Sequence, residues 1–350
     1  MLRSGLFFQR YADERALVHT TPQRGMLAAL LLALFALPVL VGGSVLGIAT
    51  MAGITLIAVF GLQVTIGLAG QLNLGQSAFV GVGAFVAAAL ATRGFGIWVC
   101  LPAAAFASGA VSIVFGLPAA RIKGFYLVLT TIAAQIMFPI VIGRLPANWF
   151  GGNAGLPVDP PVIFGAAIDT PVRMYELVLV VAIVAYLATR NLARCRTGRA
   201  LQAMRDNDIA SSVMGINLAY YKMLAFFAGA FLAGISGCLL AYYVRYVSTE
   251  QFTLWLSVWY VGMLIVGGMR SSLGAILGVV SLTLLDEGVR ALGNLVVAST
   301  GASGGVVLAL SNMALGAVIV AILIFEPLGL EHRWERIKLG YRLWPYPRKG

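Results

Sequence analysis

GLAGQLNLGQSAF, running from Gly67 to Phe79, decides how this chain must be read. It lies inside 68 consecutive residues, Gly25 to Thr92, that include no Asp, Glu, Lys, Arg or His. A run of that length and apolarity is transmembrane sequence. Yet the carboxamides Gln71, Asn73 and Gln76, the hydroxyl of Ser77 and the glycines Gly67, Gly70 and Gly75 interrupt it. An unsatisfied polar group in hydrocarbon costs several kcal/mol, so these amides cannot face lipid. They belong either to a watery turn between two spans or to a helix break inside the protein, lining a pathway, where irregular backbone is tolerated beside a water-filled cavity. A cytoplasmic turn is expected to carry a cation, and the stretch carries none. It therefore reads as the buried break, with Gln71, Asn73, Gln76 and Ser77 as pathway or gate residues.

The whole chain agrees with a membrane solvent. It is 60% hydrophobic and 11% charged, against about 25% charged for a soluble domain. The fold class is an all-α polytopic membrane protein. Ten spans are expected, near 26–48, 50–68, 76–92, 97–116, 125–143, 175–190, 223–245, 253–269, 273–291 and 304–325. Residues 1–25 form a polar tail rather than a cleavable signal, because the apolar run from Met26 exceeds a signal core. The transmembrane domain spans 26–330, and 331–350 is a basic tail.

The cations test this count. Arg3, Arg10, Arg15 and Arg24 precede the first span; Arg121 and Lys123 follow the fourth; Arg190, Arg194, Arg196, Arg199 and Arg205 follow the sixth. Arg333, Arg336, Lys338, Arg342, Arg348 and Lys349 follow the tenth. Even parity puts every cluster, and both termini, on the cytoplasmic side. The net charge of +11 is thereby a topology signal. It does not form the aromatic-interleaved basic stripe of a nucleic-acid binder.

Enzyme chemistry lacks its parts. There is no phosphate-loop motif, nucleophile elbow, H-E-x-x-H or C-x-x-C. His19 and His332 sit in the tails, and Cys100, Cys195 and Cys238 share no metal spacing, so neither a metal nor a cofactor is expected in this chain. Asp286 and Glu287, in LLDEGVRAL, are the membrane-proximal acids. They read either as an ion site or as a helix end at the interface with Arg290 one turn away.

Two connections stand out. The outer one, 144–174, holds five of the thirteen prolines and is expected to be ordered but non-helical. The inner one, 191–222, is expected to be helical from about Gly198 to Met214. Leu201, Met204, Ile209 and Val213 would form its apolar stripe, and Gly215 its stop. A short amphipathic helix between two spans suits docking into a groove of another protein.

This segment resembles the permeases of branched-chain amino acid ABC transporters, of the LivM-like branch. Their G-R-A-L-x-A-I-R-E-N-E-x-A-A-x-x-x-G-I is matched here by GRALQAMRDNDIASSVMGI, Gly198 to Ile216, with Asp206 and Asp208 for the glutamates. GLAGQLNLGQSAFVGVGAF, GGNAGLP (Gly151 to Pro157), GGMRSSLGAILG (Gly267 to Gly278) and IFEPLGL (Ile324 to Leu330) resemble four further family blocks. Asn73 stands where serine is usual.

The resemblance implies half of a transmembrane pair in a bacterial inner membrane. A second permease would complete it, two cytoplasmic ATPase subunits would bind Mg-ATP below, and a periplasmic binding protein would deliver solute above. On that implication Arg199, Arg205, Asp206, Asn207, Asp208, Ala210 and Gly215 couple to the ATPase, and Gly151, Gly152, Asn153 and Gly155 meet the binding protein. Branched-chain amino acids are the implied solutes, with urea, amides and aromatic or organic acids as alternatives within the family. A passive channel for a small polar solute is the rival from another class, and it leaves the 191–222 loop without a purpose.

Overall fold

The computed structural model describes residues 21–121, 124–163, 166–300 and 329–343, with isolated positions between 313 and 326. Apart from those isolated positions, the tenth expected span lies outside the described residues, as do both extreme tails. Among those described, six helices are long and apolar enough to cross a membrane, and two shorter apolar helices accompany them. The architecture is all-α and polytopic.

In chain order the helices are α1 (Thr21–Leu40), α2 (Gly43–Leu62, continued by a π-helical turn Gln63–Leu68), α3 (Gln76–Ala91), α4 (Ile97–Arg121) and α5 (Phe125–Arg144). A four-residue α6 (Ala147–Phe150) follows, then α7 (Pro171–Arg194), α8 (Arg196–Asp206) and α9 (Asp208–Val213). The remainder are α10 (Leu218–Val244), α11 (Leu254–Gly267), α12 (Ser272–Thr300) and α13 (Leu330–Leu343).

α10 is the central post, packed on α2, α3 and α4. Small residues let the backbones approach, as expected where lipid removes the hydrophobic drive between helices. The tightest approach is at Gly237, where a Cβ would lie 1.9 Å from the Val80 carbonyl oxygen. Ser236 ties the post to α2 by donating to the Ile54 carbonyl at 2.8 Å.

The structure shifts three expected boundaries. The second span starts at Gly43 rather than 50, because the chain breaks at Val41 and Gly42 after Pro38. α12 runs on to Thr300, well past 291, so Asp286 is not at a helix end; it pairs with Arg290 at 3.2 Å along the helix surface. The 198–214 helix is two helices. Asn207 takes an extended backbone (φ −157°, ψ 108°), and its side chain accepts from the Ala210 N–H at 3.0 Å to cap α9.

The connections sort to opposite ends. Residues 145–163 and 166–170 form the short α6, turns and, with the 245–247 segment, four two-residue strands: β1 (Leu156–Pro157), β2 (Val162–Ile163), β3 (Ala166–Ala167) and β4 (Tyr246–Val247). β1 pairs antiparallel with β4, and β2 with β3. Arg93 over Trp149 and the Arg245–Asp169 pair lie at this end. The other end carries α8, α9 and the 268–271 corner, against which α13 is held by a hydrogen bond from the Ser271 hydroxyl to the Glu331 carboxylate.

Candidate functional site

The quoted stretch is a re-entrant break. After the π-helical turn, Gly70 takes φ +68°, a left-handed turn that glycine adopts without steric cost. Residues 71–75 are non-helical, and α3 begins only at Gln76. The Gln76 side-chain N–H donates to the Ala58 carbonyl at 2.9 Å. Ala58 lies ten residues before Leu68, so the chain has climbed back about 15 Å into the bundle. α3, with 16 residues, then spans only about 24 Å. Its missing length is made by extended backbone buried in protein, the setting in which such backbone is tolerated at membrane depth.

Asn73 holds the break's shape. Its Oδ1 accepts from the Gly75 N–H at 2.9 Å, and its Nδ2 donates to Gln76 Oε1 at 3.1 Å. The Thr131 hydroxyl of α5 accepts from the Leu74 N–H at 3.1 Å. Asn73 and Gln76 are 1% and 0% exposed. Neither is solvated, so a turn in water does not describe them.

At the start of α3 a second short helix meets it. α11, with 14 residues, spans about 21 Å, and its buried Ser257 packs against the start of α3. Gln135 of α5 joins the two N-termini. Its Oε1 accepts from the Ala78 N–H at 2.9 Å, from the Ser77 hydroxyl at 2.9 Å and from the Ser257 hydroxyl at 3.3 Å. Its Nε2 donates to the Phe252 carbonyl at 2.7 Å. Ser257 Oγ in turn accepts from the Ser77 N–H at 2.9 Å, and the Ser77 hydroxyl also reaches the Thr253 carbonyl at 2.7 Å. The Ser77 and Ala78 N–H groups at the start of α3, which would otherwise be orphaned, are thus satisfied by side chains, and at the start of α11 the Thr253 hydroxyl accepts from the Leu256 N–H at 3.4 Å. Gln135, Ser257 and Thr131 escaped the sequence reading. Ser257 is a lone polar residue in an apolar run, and Thr131 and Gln135 are two of the few polar residues in another, a pattern that was the available signal.

Beside the knot, α3, α4 and α5 enclose an apolar cavity of about 230 Å³ lined by Phe79, Phe85, Phe115 and Phe138.

Gln71 differs from its neighbours. It is 3% exposed, and neither its side-chain oxygen nor its nitrogen has a partner among the described residues. Gln63 Oε1, on the π-helical turn, is also unpartnered. Buried groups of this kind call for an explanation. Gln71 lines a polar cavity of about 210 Å³ with Arg205, Asp206, Asp208 and Lys222.

That cavity joins the break to α8 and α9. Arg205 Nη1 donates to the Gly67 carbonyl at 2.6 Å, and its other nitrogens hold Asp206 at 2.9–3.1 Å. Asp208 lies 4.0 Å from the buried Lys222 ammonium on α10. Leu201 and Met204, each 1% exposed, anchor α8 on the bundle. Burying such a side chain contributes about 1.5–3 kcal/mol.

The other half of the expected stripe points away. Ile209 is 74% exposed, and Val213 and Met214 are each 83% exposed. Arg199 and Ala210 are exposed as well, and Gly215 stops α9 with φ +84°. At the start of α8, burial raises the Cys195 thiol, but hydrogen bonds from the Gly198 N–H and from Thr197 outweigh it and leave the thiol below its ordinary value.

At the opposite end Gly151, Gly152 and Gly155 all have positive φ and shape the turn around Asn153. A Cβ at Gly155 would lie 2.6 Å from the Val247 carbonyl. Among the described residues no group of three or more His, Cys, Asp or Glu could hold a metal.

Comparison with known proteins bears on this arrangement. The family model described as "Branched-chain amino acid transport system / permease component" matches residues 44–323. The high-affinity branched-chain amino acid transport system permease protein LivM of Salmonella typhimurium is 29% identical over 335 residues, covering 89% of this chain and 75% of that protein. Its Escherichia coli counterpart is 28% identical over the same shares. A probable branched-chain amino acid transport permease protein LivM of Methanocaldococcus jannaschii is 25% identical, covering 63% of this chain and 64% of its own length. No solved structure matches the chain.

Proposed function

This chain belongs to the branched-chain amino acid transport permease family, and we propose that it forms half of the translocation pathway of an ATP-driven importer in a bacterial inner membrane. A related permease completes the pair, and a periplasmic binding protein delivers a branched-chain or similar amino acid. The solute rests on the names of the relatives. Mg-ATP is bound and hydrolysed by two separate cytoplasmic subunits.

The observation that carries the reading is the split face of α8–α9. Leu201 and Met204 fasten it to the bundle, while Ile209, Val213 and Met214 stand exposed. Large apolar side chains exposed together on a polar segment mark a protein contact. The α8–α9 end is then cytoplasmic, a placement that the positions of the cation clusters support. Motion of the docked segment reaches the pathway through Arg205, which holds the Gly67 carbonyl at the root of the break. Gln71, Asn73, Gln76 and Ser77 are the gate, built where two short helices begin, a construction that suits solute handling inside a membrane. The 151–155 turn is the docking surface for the binding protein.

Ile209→Asp tests the reading. It should leave the chain inserted and paired with its fellow permease but sharply reduce co-purification of the ATPase subunits. Undiminished ATPase association in that variant would refute the docking role.

A further inference from the structure

We infer that the cavity between the 69–71 break and α8–α9 is an inner-face binding site for a small zwitterion, the amino acid released by the transport cycle. This deepens the transport reading and rests on it.

Gln71 lines this cavity while only 3% exposed, and its amide nitrogen and oxygen have no partner among the described residues. Leaving buried polar groups unmade costs about 1–3 kcal/mol each, so the side chain is poised for a polar occupant. The charged walls indicate which kind. Among the described lining residues Arg205 and Lys222 supply two cations, and Asp206 and Asp208 supply two anions, so these walls are electrically balanced. A phosphate, a lipid headgroup anion or a lone amine would upset that balance. A molecule bearing one carboxylate and one ammonium preserves it, exchanging with the Arg205–Asp206 and Lys222–Asp208 pairs. The remaining wall includes the apolar Leu127 and Met204, suited to an aliphatic side chain. At about 210 Å³ the cavity is smaller than the roughly 300–1,000 Å³ of drug-sized sites, a scale that fits an amino acid.

The position gives the site a consequence. Arg205 both lines the cavity and holds the Gly67 carbonyl. An occupant that engages Arg205 changes the joint through which α8–α9 grips the break. Binding here and the position of the docked segment are then linked in both directions. Accumulated product on the cytoplasmic side biases the coupling segment without entering from the binding protein.

The test uses the complete transporter in nanodiscs without its binding protein. Binding of tritiated L-leucine, L-isoleucine and L-valine is measured by scintillation proximity. Isoamylamine (no carboxylate) and 4-methylpentanoate (no ammonium) serve as competitors. Saturable binding of at least one of the amino acids is expected, with either single-charge analogue competing at least about tenfold more weakly than the unlabelled amino acid. Gln71→Leu and Lys222→Met should each weaken binding by about tenfold or more.

Should either variant fail to assemble, the analogue series on the unaltered protein still decides. Absence of saturable binding, equal competition by a single-charge analogue, or unchanged affinity in assembled Gln71→Leu overturns the inference. ATP-driven uptake of the same amino acids, with the binding protein, is measured in parallel. Uptake without binding overturns the inference alone, whereas absence of uptake removes the transport reading and the inference with it.

Discussion

Gln135→Leu removes the side chain that joins the starts of α3 and α11 while keeping its approximate volume. Gln135 makes four hydrogen bonds, at 2.7, 2.9, 2.9 and 3.3 Å. The Ser77 hydroxyl retains the Thr253 carbonyl at 2.7 Å, and Ser257 still accepts from the Ser77 N–H at 2.9 Å. The groups left stranded are the Ala78 N–H and the Phe252 carbonyl. At about 1–3 kcal/mol for each buried orphan, the substitution should destabilise the protein by about 2–6 kcal/mol. Ile136→Ala, at the next position on α5 and 58% exposed, is the control and should cost much less. Equilibrium unfolding in mixed micelles measures both. Equal effects from the two substitutions, or none from Gln135→Leu, would refute the view that this knot fixes the two short helices.

Other expected outcomes follow from single contacts. Gly237→Val forces a Cβ to within 1.9 Å of the Val80 carbonyl, so it should cost about 3 kcal/mol or more and abolish the monodisperse peak in size-exclusion chromatography. Gly215→Val has open space for its side chain but keeps φ at +84°, which strains the stop of α9 by about 1–2 kcal/mol. That variant should assemble with the ATPase yet hydrolyse ATP without matching uptake, as read by paired phosphate-release and uptake assays. The lowered Cys195 thiol carries more thiolate at pH 7–8 than an ordinary cysteine. Its alkylation should therefore outpace that of a free thiol and level off at lower pH, with Cys100 and Cys238 protected by burial, as read by mass spectrometry after iodoacetamide pulses.

The apolar runs made most of this fold legible, because hydropathy responds to the solvent that each helix meets. Even the starts of the two short helices, expected at 76 and 253, lie at Gln76 and Leu254. The reason for those starts was not legible. Ser77 meets Ser257 across 180 positions and Gln135 across 58, and no local pattern announces such a pairing. The split at Asn207 was hidden because an asparagine can sit within a helix or cap the next one, and tertiary packing chose the cap. The single apolar stripe expected along one helix is divided in the structure into two half-faces, one anchored and one exposed. That division appears only when Leu201 and Met204 find the bundle and α9 turns away from it.

The most direct test is uptake of radiolabelled L-leucine, L-isoleucine and L-valine into proteoliposomes containing this chain with its companion permease and ATPase pair. The account predicts accumulation that requires both lumenal Mg-ATP and the solute-loaded binding protein, and that persists in the presence of an ionophore. Equilibration of solute without ATP, or uptake that collapses with the ionophore while ATP remains, would contradict it.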